Sequence, residues 1–286
     1  MKSSIQYRSF LQSDTWAVFR ESLGWHPHKV GDVLVLERPL PLGYSLLYSP
    51  EVYGPPDILL TLLPAVSKIA DRRKSLFYRL ELLVEKDEPL AESWRAAFTY
   101  TGFQKAFEAV QPEDRQIIGL GSEEKVLAQM KPKGRYNIRV AEKSGVLVRE
   151  ATPKSLDADI PLFYALMRQT AKRERFSIRP QSYFLNLCHL LYDHNCGRLF
   201  IATLQNQPVA AAIITLYDDV ASYLYGASSN QRRDTMAPYA VHWAAVQWAI
   251  SLGAKQYDLL AIAPEDPEKG RRHPYNGMTR FKQQFG

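Results

Sequence analysis

Hydrophobic residues follow a regular pattern in the first half of this chain, and the pattern predicts both strands and helices. Residues 32–37 and 44–48 alternate between apolar and other side chains, which is typical of two strands, and a proline-rich turn joins them. After Gly54-Pro55-Pro56, apolar residues recur three and four positions apart, which indicates a helix. A further strand is predicted over residues 76–84, and a short helix over residues 13–23 precedes the series.

The second half of the chain repeats this order. Three strands are predicted over residues 197–204, 209–216 and 220–225, and a glycine-containing connection leads to a helix with Pro238 in its first turn. A last strand follows at residues 255–260. The pattern predicts an α/β (α+β) protein made of two copies of one unit, each a mixed sheet flanked by helices.

The boundary between the two units is expected near residue 146. A helix capped by Ser122 and a basic segment lie before this point, and the strand-like residues 146–150 follow it. The predicted domains are therefore residues 1–145 and 146–286, with a C-terminal segment that can pack back on the first domain.

Length and composition limit the class of protein. The chain has 286 residues, of which 46% are hydrophobic and 12% aromatic, enough to bury a sizeable core in one large domain or in two smaller ones. It has no apolar run of the ~20 residues that a membrane-spanning helix needs and no recognisable signal peptide, so we expect a cytoplasmic protein. Two cysteines, Cys188 and Cys196, are too few for a disulfide framework. Their spacing from His189 and His194 fits buried cysteines better than a zinc site, and no metal is expected.

Positive charge is concentrated in two segments. The formal net charge is +6, and residues 131–143 and 168–179 each carry five basic side chains against one glutamate. Clusters of this kind suit a polyanionic partner such as RNA or a diphosphate. They are equally typical of helix faces exposed to water, so charge by itself leaves both interpretations open.

The doubled strand–turn–helix unit resembles the acetyltransferase (GNAT) architecture, which usually holds coenzyme A through backbone N–H groups of a glycine-rich turn at a helix N-terminus. The corresponding residues 231–238 contain no glycine, and Pro238 lacks a backbone N–H donor. Pro55 and Pro56 stand at the equivalent place in the first half. We therefore expect no coenzyme A, no other cofactor, and a different source of the acyl group.

Six segments resemble motifs of the FemABX peptidyltransferases, and they occur in that family's order. The segments are 10–16 (FLQSDTW), 133–143 (KGRYNIRVAEK), 170–176 (TAKRERF), 223–228 (YLYGAS), 257–258 (YD) and 277–286 (GMTRFKQQFG). Each is a weak signal, but together they make the chain similar to this family from residue 10 to the C-terminus. The helical-hairpin insertion that some members carry has no counterpart in this sequence.

The resemblance implies an aminoacyltransferase of peptidoglycan biosynthesis with two tandem GNAT-like (acyl-CoA N-acyltransferase-like) domains. Aminoacyl-tRNA would be the co-substrate, and the acceptor would be a free amine on UDP-MurNAc-peptide or its lipid-linked form, in a cleft between the two units. A lipid-linked acceptor would require peripheral contact with a membrane. Two other interpretations stay open: a GNAT-like N-acyltransferase that uses acyl-CoA or another small activated donor, and an RNA-binding or immunity-type module without the reaction.

An aminoacyl ester is already activated, so this chemistry needs no covalent nucleophile. Positioning of the amine can supply roughly 7–11 kcal/mol, and a cation at the tetrahedral oxyanion ~3–4 kcal/mol more. The resemblance makes Lys282 the expected cation and places Phe281 beside the ester; the alternatives are a surface lysine and a core aromatic residue. No general base is assigned, because nothing places Glu108 or Asp258 at the amine. Asp258 is instead expected to orient the loop that follows its strand.

Four further residues are candidates for binding the precursor. Tyr223 and Tyr225 lie two apart on one predicted strand, so both rings are expected to face the same side, either along the acceptor cleft or in the core. Arg173 of the TAKRERF segment and Arg38, expected in a loop, offer guanidinium groups that can bind phosphate or carboxylate through two hydrogen bonds. A solvated arginine is the alternative for each.

The candidates for tRNA binding lie in the first basic segment. They are Lys133, Arg135, Tyr136 and Arg139. Tyr136 could stack on an unpaired base of the acceptor end. The alternative is a helix that packs Ile138 and Ala141 inward and exposes its charges to water, and both descriptions can hold together.

Overall fold

The computed structural model describes residues 8–265, 273 and 275–286. The chain forms two compact units, Met1–Gln111 and Pro112–Gly286. Each unit contains one mixed β-sheet with helices, which confirms the predicted α/β class.

The first unit contains a four-stranded sheet in the order β1-β2-β3-β4. Its helices and strands are α1 (Asp14–Ser22), β1 (His26–Val30), β2 (Val33–Pro39), β3 (Ser45–Val52), α2 (Ile58–Arg73), β4 (Ser75–Leu82) and α3 (Pro89–Thr101). β1, β2 and β3 are antiparallel neighbours, and β4 lies parallel to β3 at the edge. Parallel neighbours need a crossover connection, and α2 supplies it.

Apolar side chains of the sheet and of α2 form the core of the first unit. The buried members are Val33, Val35, Leu47, Val52, Leu59, Leu62, Val66 and Trp94. Trp94 is the single fully buried residue that α3 contributes, and its indole N–H donates to the Gly54 carbonyl at 2.8 Å. This hydrogen bond satisfies the polar end of a side chain that is otherwise surrounded by apolar groups.

The second unit contains a six-stranded sheet in the order β5-β10-β9-β8-β7-β6. Its elements are β5 (Arg115–Gly119), α4 (Glu123–Gln129), α5 (Pro132–Lys143), β6 (Leu147–Glu150), α6 (Leu156–Glu174), α7 (Gln181–Asp193), β7 (Gly197–Leu204), β8 (Gln207–Tyr217), β9 (Val220–Ser228), α8 (Ala237–Ser251), β10 (Gln256–Ala261) and α9 (Asn276–Lys282). β9 and β10 are parallel, and the other neighbours are antiparallel.

Helices cover both faces of this sheet. α8 packs on one face against alternate residues of β7 and β8, such as Phe200, Ala212 and Ile214. α6 and α7 pack on the strands β7, β8 and β9 as well, but their aromatic side chains belong to the opposite face. Because both faces are buried, β7 and β8 read as nearly continuous apolar runs in the sequence.

The predicted repetition of one unit is confirmed. In the first unit the hairpin β2–β3 is followed by α2 and the parallel strand β4, and in the second the hairpin β8–β9 is followed by α8 and the parallel strand β10. None of the helices in the described part of the chain is long and apolar enough to cross a bilayer.

The two units divide 34 residues before the predicted boundary at 145/146. β5 pairs with β10, and α5 packs on α8, so residues 112–145 share the sheet and the core of the second unit. The C-terminal segment packs on this same region, since the backbone N–H of Lys131 donates to the Gln284 carbonyl at 3.0 Å. The C-terminus therefore contacts residues that the prediction assigned to the first domain, but it does so within the second unit.

Candidate active site

The C-terminal helix α9 places the side chain of Lys282 in the interior of the second unit. Lys282 is 2% exposed, and its Nζ donates to the Ala261 carbonyl at 2.7 Å. The Nζ also lies 5.7 Å from the centroid of the Tyr223 ring. Burial lowers the pKa of Lys282 to about 8, because the interior solvates the ammonium poorly. Lys282 is thus a buried cation and not a surface lysine.

An ion pair of Asp258 and Arg115 contributes to the electrostatic field at Lys282. The two side chains are buried, with Arg115 Nη1 3.0 Å from Asp258 Oδ2. Asp258 raises the pKa of Lys282 and Arg115 lowers it, both to a smaller extent than burial does. Asp258 Oδ1 accepts the backbone N–H of Leu260 at 2.6 Å. Leu260 is itself a residue of β10, so this bond lies within the strand, and the expectation that Asp258 orients the loop after it stays a prediction.

Lys282 lies where the parallel strands β9 and β10 separate. The two strands are paired from Val220 and Gln256 to Ser222 and Asp258, and no further pairing joins them in the described residues. Ala261, whose carbonyl binds Lys282, is the last residue of β10. The separation leaves the backbone beyond Ser222 and Asp258 without its sheet partner on this side. Lys282, Tyr223 and the Ala261 carbonyl therefore lie together at the point of separation.

His242 of α8 is a further buried residue of this region, and no sequence motif indicated it. Its Nδ1 lies 2.8 Å from the Tyr257 hydroxyl, and its ring centroid is 4.4 Å from that of Tyr223 and 5.3 Å from that of Phe281. Burial, and secondarily the Lys282 ammonium, lower the pKa of His242 to about 3, so the imidazole is neutral. His242 therefore joins α8, β9, β10 and α9 around the lysine. A histidine in an apolar helix carries no spacing signal that could have revealed this contact.

The prediction that Tyr223 and Tyr225 face the same side is wrong. Tyr225 is the partner of Ile213 and Tyr223 the partner of Ile214, so a β-bulge at Leu224 interrupts the alternation of β9. The Tyr223 ring packs on the face with His242, whereas the Tyr225 hydroxyl lies 2.9 Å from the Tyr183 hydroxyl on the face with α7. Tyr223 is therefore the tyrosine of this pair that lies beside Lys282.

Gly226 makes room for the Tyr223 ring. A Cβ atom at position 226 would overlap the ring and hydroxyl of Tyr223. Burial raises the pKa of Tyr223 to about 12, so its hydroxyl stays protonated. The YLYGAS segment thus combines a bulge and a glycine, which together place one neutral phenol over the buried lysine.

The TAKRERF segment holds the end of β9. The hydroxyl of Thr170 donates to the Ser228 carbonyl at 3.2 Å and accepts the Ser228 N–H at 3.1 Å. Arg173, one turn later on α6, donates from Nη1 to the same carbonyl at 3.2 Å and also binds the side chain of Asn230. These contacts occupy much of the Arg173 guanidinium, and they fix the chain just after Gly226.

The basic segment 131–143 forms the helix α5, in agreement with the helical alternative. Ala141 is buried and Ile138 partly buried against the core of the second unit. Tyr136 is 60% exposed, and Lys133 and Arg139 lie three residues before and after it, so the three side chains share one exposed face. Arg135 departs from the group, because its Nη1 donates to the carbonyls of Leu127 and Met130 at the end of α4.

Arg38 belongs to the first unit and lies in strand β2, paired with Leu46, not in the loop that the sequence analysis expected. The strand can include Pro39, because this proline is its last residue and its missing backbone N–H costs no hydrogen bond of the sheet. The Arg38 guanidinium carbon lies 5.7 Å from the centroid of the Trp25 ring. The role of Arg38 in binding the precursor stays a prediction.

Comparison with known protein families identifies the family of this chain. The model of the FemAB family matches residues 86–207 and 195–286, which together make up more than half of the chain. The chain belongs to the FemAB family.

Curated relatives of this FemAB protein include two staphylococcal enzymes. The lipid II:glycine glycyltransferase of Staphylococcus epidermidis is 23% identical over 358 aligned positions, which cover 96% of this chain and 84% of the relative. The lipid II:glycine glycyltransferase of Staphylococcus aureus is 22% identical over 362 positions, with the same coverage. Both alignments are longer than this chain of 286 residues, so the relatives carry segments that have no counterpart here.

The fold of this FemAB protein is similar to a solved structure described as FemX. The two superpose with a TM-score of 0.80 and 20% sequence identity, over 97% of this chain and 89% of that one. This likeness supports the tandem GNAT-like fold that the motif resemblance implied.

The structure brings some of the predicted site residues together and leaves others apart. Lys282, Phe281 and Tyr223 meet around His242 in the second unit. Tyr225 lies on the other face of the same sheet, and Arg173 at the end of β9. For all of them the structure gives contacts, and their roles toward substrates are predictions.

Proposed function

We propose that this protein transfers an aminoacyl group from aminoacyl-tRNA to a free amine on the stem peptide of a peptidoglycan precursor, either UDP-MurNAc-peptide or its lipid-linked form. FemAB membership and the glycyltransferase relatives make the chain an aminoacyltransferase of peptidoglycan bridge formation. The proposal adds the tRNA donor and the acceptor.

One observation carries the proposal: the C-terminal segment that holds the buried ammonium packs on an exposed basic helix. The residues after Lys282 pack directly on α5, where a Cβ on Gly134 would approach the Gln284 carbonyl to 2.5 Å. The opposite face of α5 presents Lys133, Tyr136 and Arg139 to solvent. A polyanionic strand on this face is held by charge and by stacking, as single-stranded RNA is.

Lys282 would act on the developing charge of the acyl transfer. The acceptor amine attacks the ester carbonyl, the new C–N bond forms, and the C–O bond to the tRNA ribose breaks. Between these steps the carbonyl oxygen carries negative charge, which a buried ammonium stabilises strongly because little water competes with it. With a pKa of about 8, Lys282 is mostly protonated near neutral pH. The ribose oxygen leaves with the proton that the amine loses, so the route requires no assigned base.

A ligand-binding screen tests the choice of donor and acceptor. Thermal unfolding of the protein is followed with UDP-MurNAc-pentapeptide, with a non-hydrolysable aminoacyl-tRNA mimic and with coenzyme A. We expect the first two ligands to raise the melting temperature, because each binds the folded protein. Stabilisation by coenzyme A alone would replace the proposal with an acyl-CoA N-acyltransferase. Stabilisation by the RNA mimic without the precursor would favour an RNA-binding module.

A further inference from the structure

The turn between β2 and β3 presents a leucine to solvent in a strained conformation. Leu42 is 90% exposed, and its backbone is left-handed, with φ 63° and ψ 20°. A bulky residue rarely adopts this conformation, and a polar residue such as asparagine adopts it more easily. Leu42 does not belong to the hydrophobic core that the described residues of the first unit form. The exposed side chain of Leu42 is therefore available to a partner outside the unit.

The start of strand β4 adds two more exposed apolar side chains at the same end of the sheet. Ser45, which follows the turn, is paired with Ser75, and their hydroxyls lie 2.6 Å apart. The next residues of β4, Leu76 and Phe77, are 61% and 54% exposed. Both residues lie in the register shift between the pairs Ser45–Ser75 and Leu47–Tyr78. Leu42, Leu76 and Phe77 therefore lie at one edge of the first unit.

Two exposed cations precede the apolar residues of β4 in the chain. The helix α2 ends at this edge, where the Ser45 hydroxyl donates to the Arg73 carbonyl at 3.2 Å. Arg72 and Lys74 beside it are exposed. The carboxylates nearby are Asp71 on α2 and the buried Glu37, which lies 3.4 Å from Arg73 Nε and 3.0 Å from the His28 imidazole. We call Leu42, Leu76, Phe77, Arg72 and Lys74 the basic–apolar edge.

We propose that the basic–apolar edge docks on the surface of an anionic lipid bilayer. Apolar side chains next to arginine and lysine are the combination that enters the headgroup region while the cations bind acidic lipids. The apolar residues project from a turn tip and a strand start, where they can enter a fluid surface. Docking of this kind would bring the protein to a lipid-linked acceptor, and its biological purpose rests on the proposed function.

Sedimentation with lipid vesicles tests the docking. The full-length protein is mixed with vesicles of phosphatidylcholine alone or with phosphatidylglycerol added, at low and high salt. Leu42→Asn removes the apolar tip and keeps a residue that tolerates the left-handed backbone. Arg72→Gln combined with Lys74→Asn removes two charges. Leu60→Asn is the control for the leucine variant, because Leu60 is 78% exposed on the first turn of α2, ~18 Å along the helix from Arg72.

We expect binding to vesicles that contain phosphatidylglycerol, weaker binding at high salt, and about tenfold weaker binding for the leucine variant and for the charge variant. Leu60→Asn should bind like the unaltered protein. The inference is overturned if the unaltered protein does not sediment with anionic vesicles, or if Leu60→Asn weakens binding as much as Leu42→Asn does. Self-association that Leu42→Asn abolishes, seen by light scattering without vesicles, would overturn it in favour of a second copy as the occupant.

Transfer assays separate a failure of this inference from a failure of the proposed function. With soluble UDP-MurNAc-pentapeptide as the acceptor, the edge variants should transfer at the rate of the unaltered protein. With a lipid-linked acceptor in vesicles, they should lose rate in proportion to the lost binding. If neither acceptor is modified by the unaltered protein, the proposed function fails, and vesicle binding still decides the inference about the edge.

Discussion

Replacement of Lys282 by methionine is the most informative change to the candidate site. Methionine has nearly the volume of the lysine side chain but neither its charge nor its donor. Lys282 is 2% exposed, and its Nζ donates a hydrogen bond to the Ala261 carbonyl. The variant therefore removes the ammonium from a packed environment without leaving a large cavity.

The expected loss of rate follows from the position of the ammonium. A single donor to an oxyanion in a site that excludes water is worth ~3–4 kcal/mol in the transition state, and each 1.4 kcal/mol is a factor of ten. We expect kcat to fall by roughly 10² to 10³ with Lys282→Met. The precursor and the tRNA should bind as before, because the proposal gives the lysine a contact only with charge that develops during the reaction.

Single-turnover transfer of a radiolabelled aminoacyl group from charged tRNA measures this loss. Arg280→Gln is the matched control, since Arg280 is a cation on the same helix but is exposed. The far-ultraviolet circular dichroism and the melting temperature of both variants establish that they are folded. A rate for Lys282→Met within about threefold of the unaltered protein, with binding intact, would refute the role of the buried ammonium.

Three further predictions concern the pH dependence and the surroundings of this lysine. The rate of transfer should fall as pH rises through about 8, where Lys282 loses its proton, and a rate that is constant up to pH 9.5 would contradict this role. The free energy of unfolding should increase with pH above about 8, because the lysine of the unfolded chain keeps its proton to a higher pH. Tyr257→Phe should lower the free energy of unfolding by ~1–3 kcal/mol, measured in urea, because His242 Nδ1 loses its partner; an unchanged value would show that this hydrogen bond adds no stability. Arg173→Ala should raise the dissociation constant of UDP-MurNAc-pentapeptide, measured by calorimetry. Thr170→Val is the comparison, because it removes a hydrogen bond to the same end of β9. Equal weakening by both variants means that Arg173 acts by holding Ser228, whereas weakening by Arg173→Ala alone means direct recognition of the precursor.

The repeated unit could be predicted from the sequence because its strands and helices have strong periodicity. The predicted strand at residues 197–204 has the bounds of β7, and the predicted helix after Pro56 is α2. The elements that were missed have weak patterns. β1 is the segment His-Pro-His-Lys-Val, and β5 is five residues long with one buried side chain, so neither alternates clearly. The missed β5 also explains the misplaced boundary, since its pairing with β10 is what assigns residues 112–145 to the second unit.

Residues of the candidate site could be predicted where the motif resemblance named them. The prediction failed where contacts of the folded chain decide the position of a side chain. Lys282 and Phe281 were named, and they lie together around the separation of β9 and β10. Tyr225 was assigned to the wrong face because a one-residue bulge cannot be read from a Y-x-Y pattern. His242 was missed because burial and the Tyr257 contact, which join residues 15 apart in the sequence, are properties of the folded chain.

The mass of the reaction product tests the central claim most directly. The protein is incubated with a pool of charged tRNAs and UDP-MurNAc-pentapeptide, in parallel with a lipid-linked precursor, and the acceptor is analysed by mass spectrometry. The account predicts an acceptor heavier by one aminoacyl residue, bound at a stem-peptide amine and absent when the tRNA is digested by ribonuclease beforehand; the added mass identifies the amino acid. An unmodified acceptor with every charged tRNA, or a modification that survives ribonuclease treatment and depends on acyl-CoA, would contradict it.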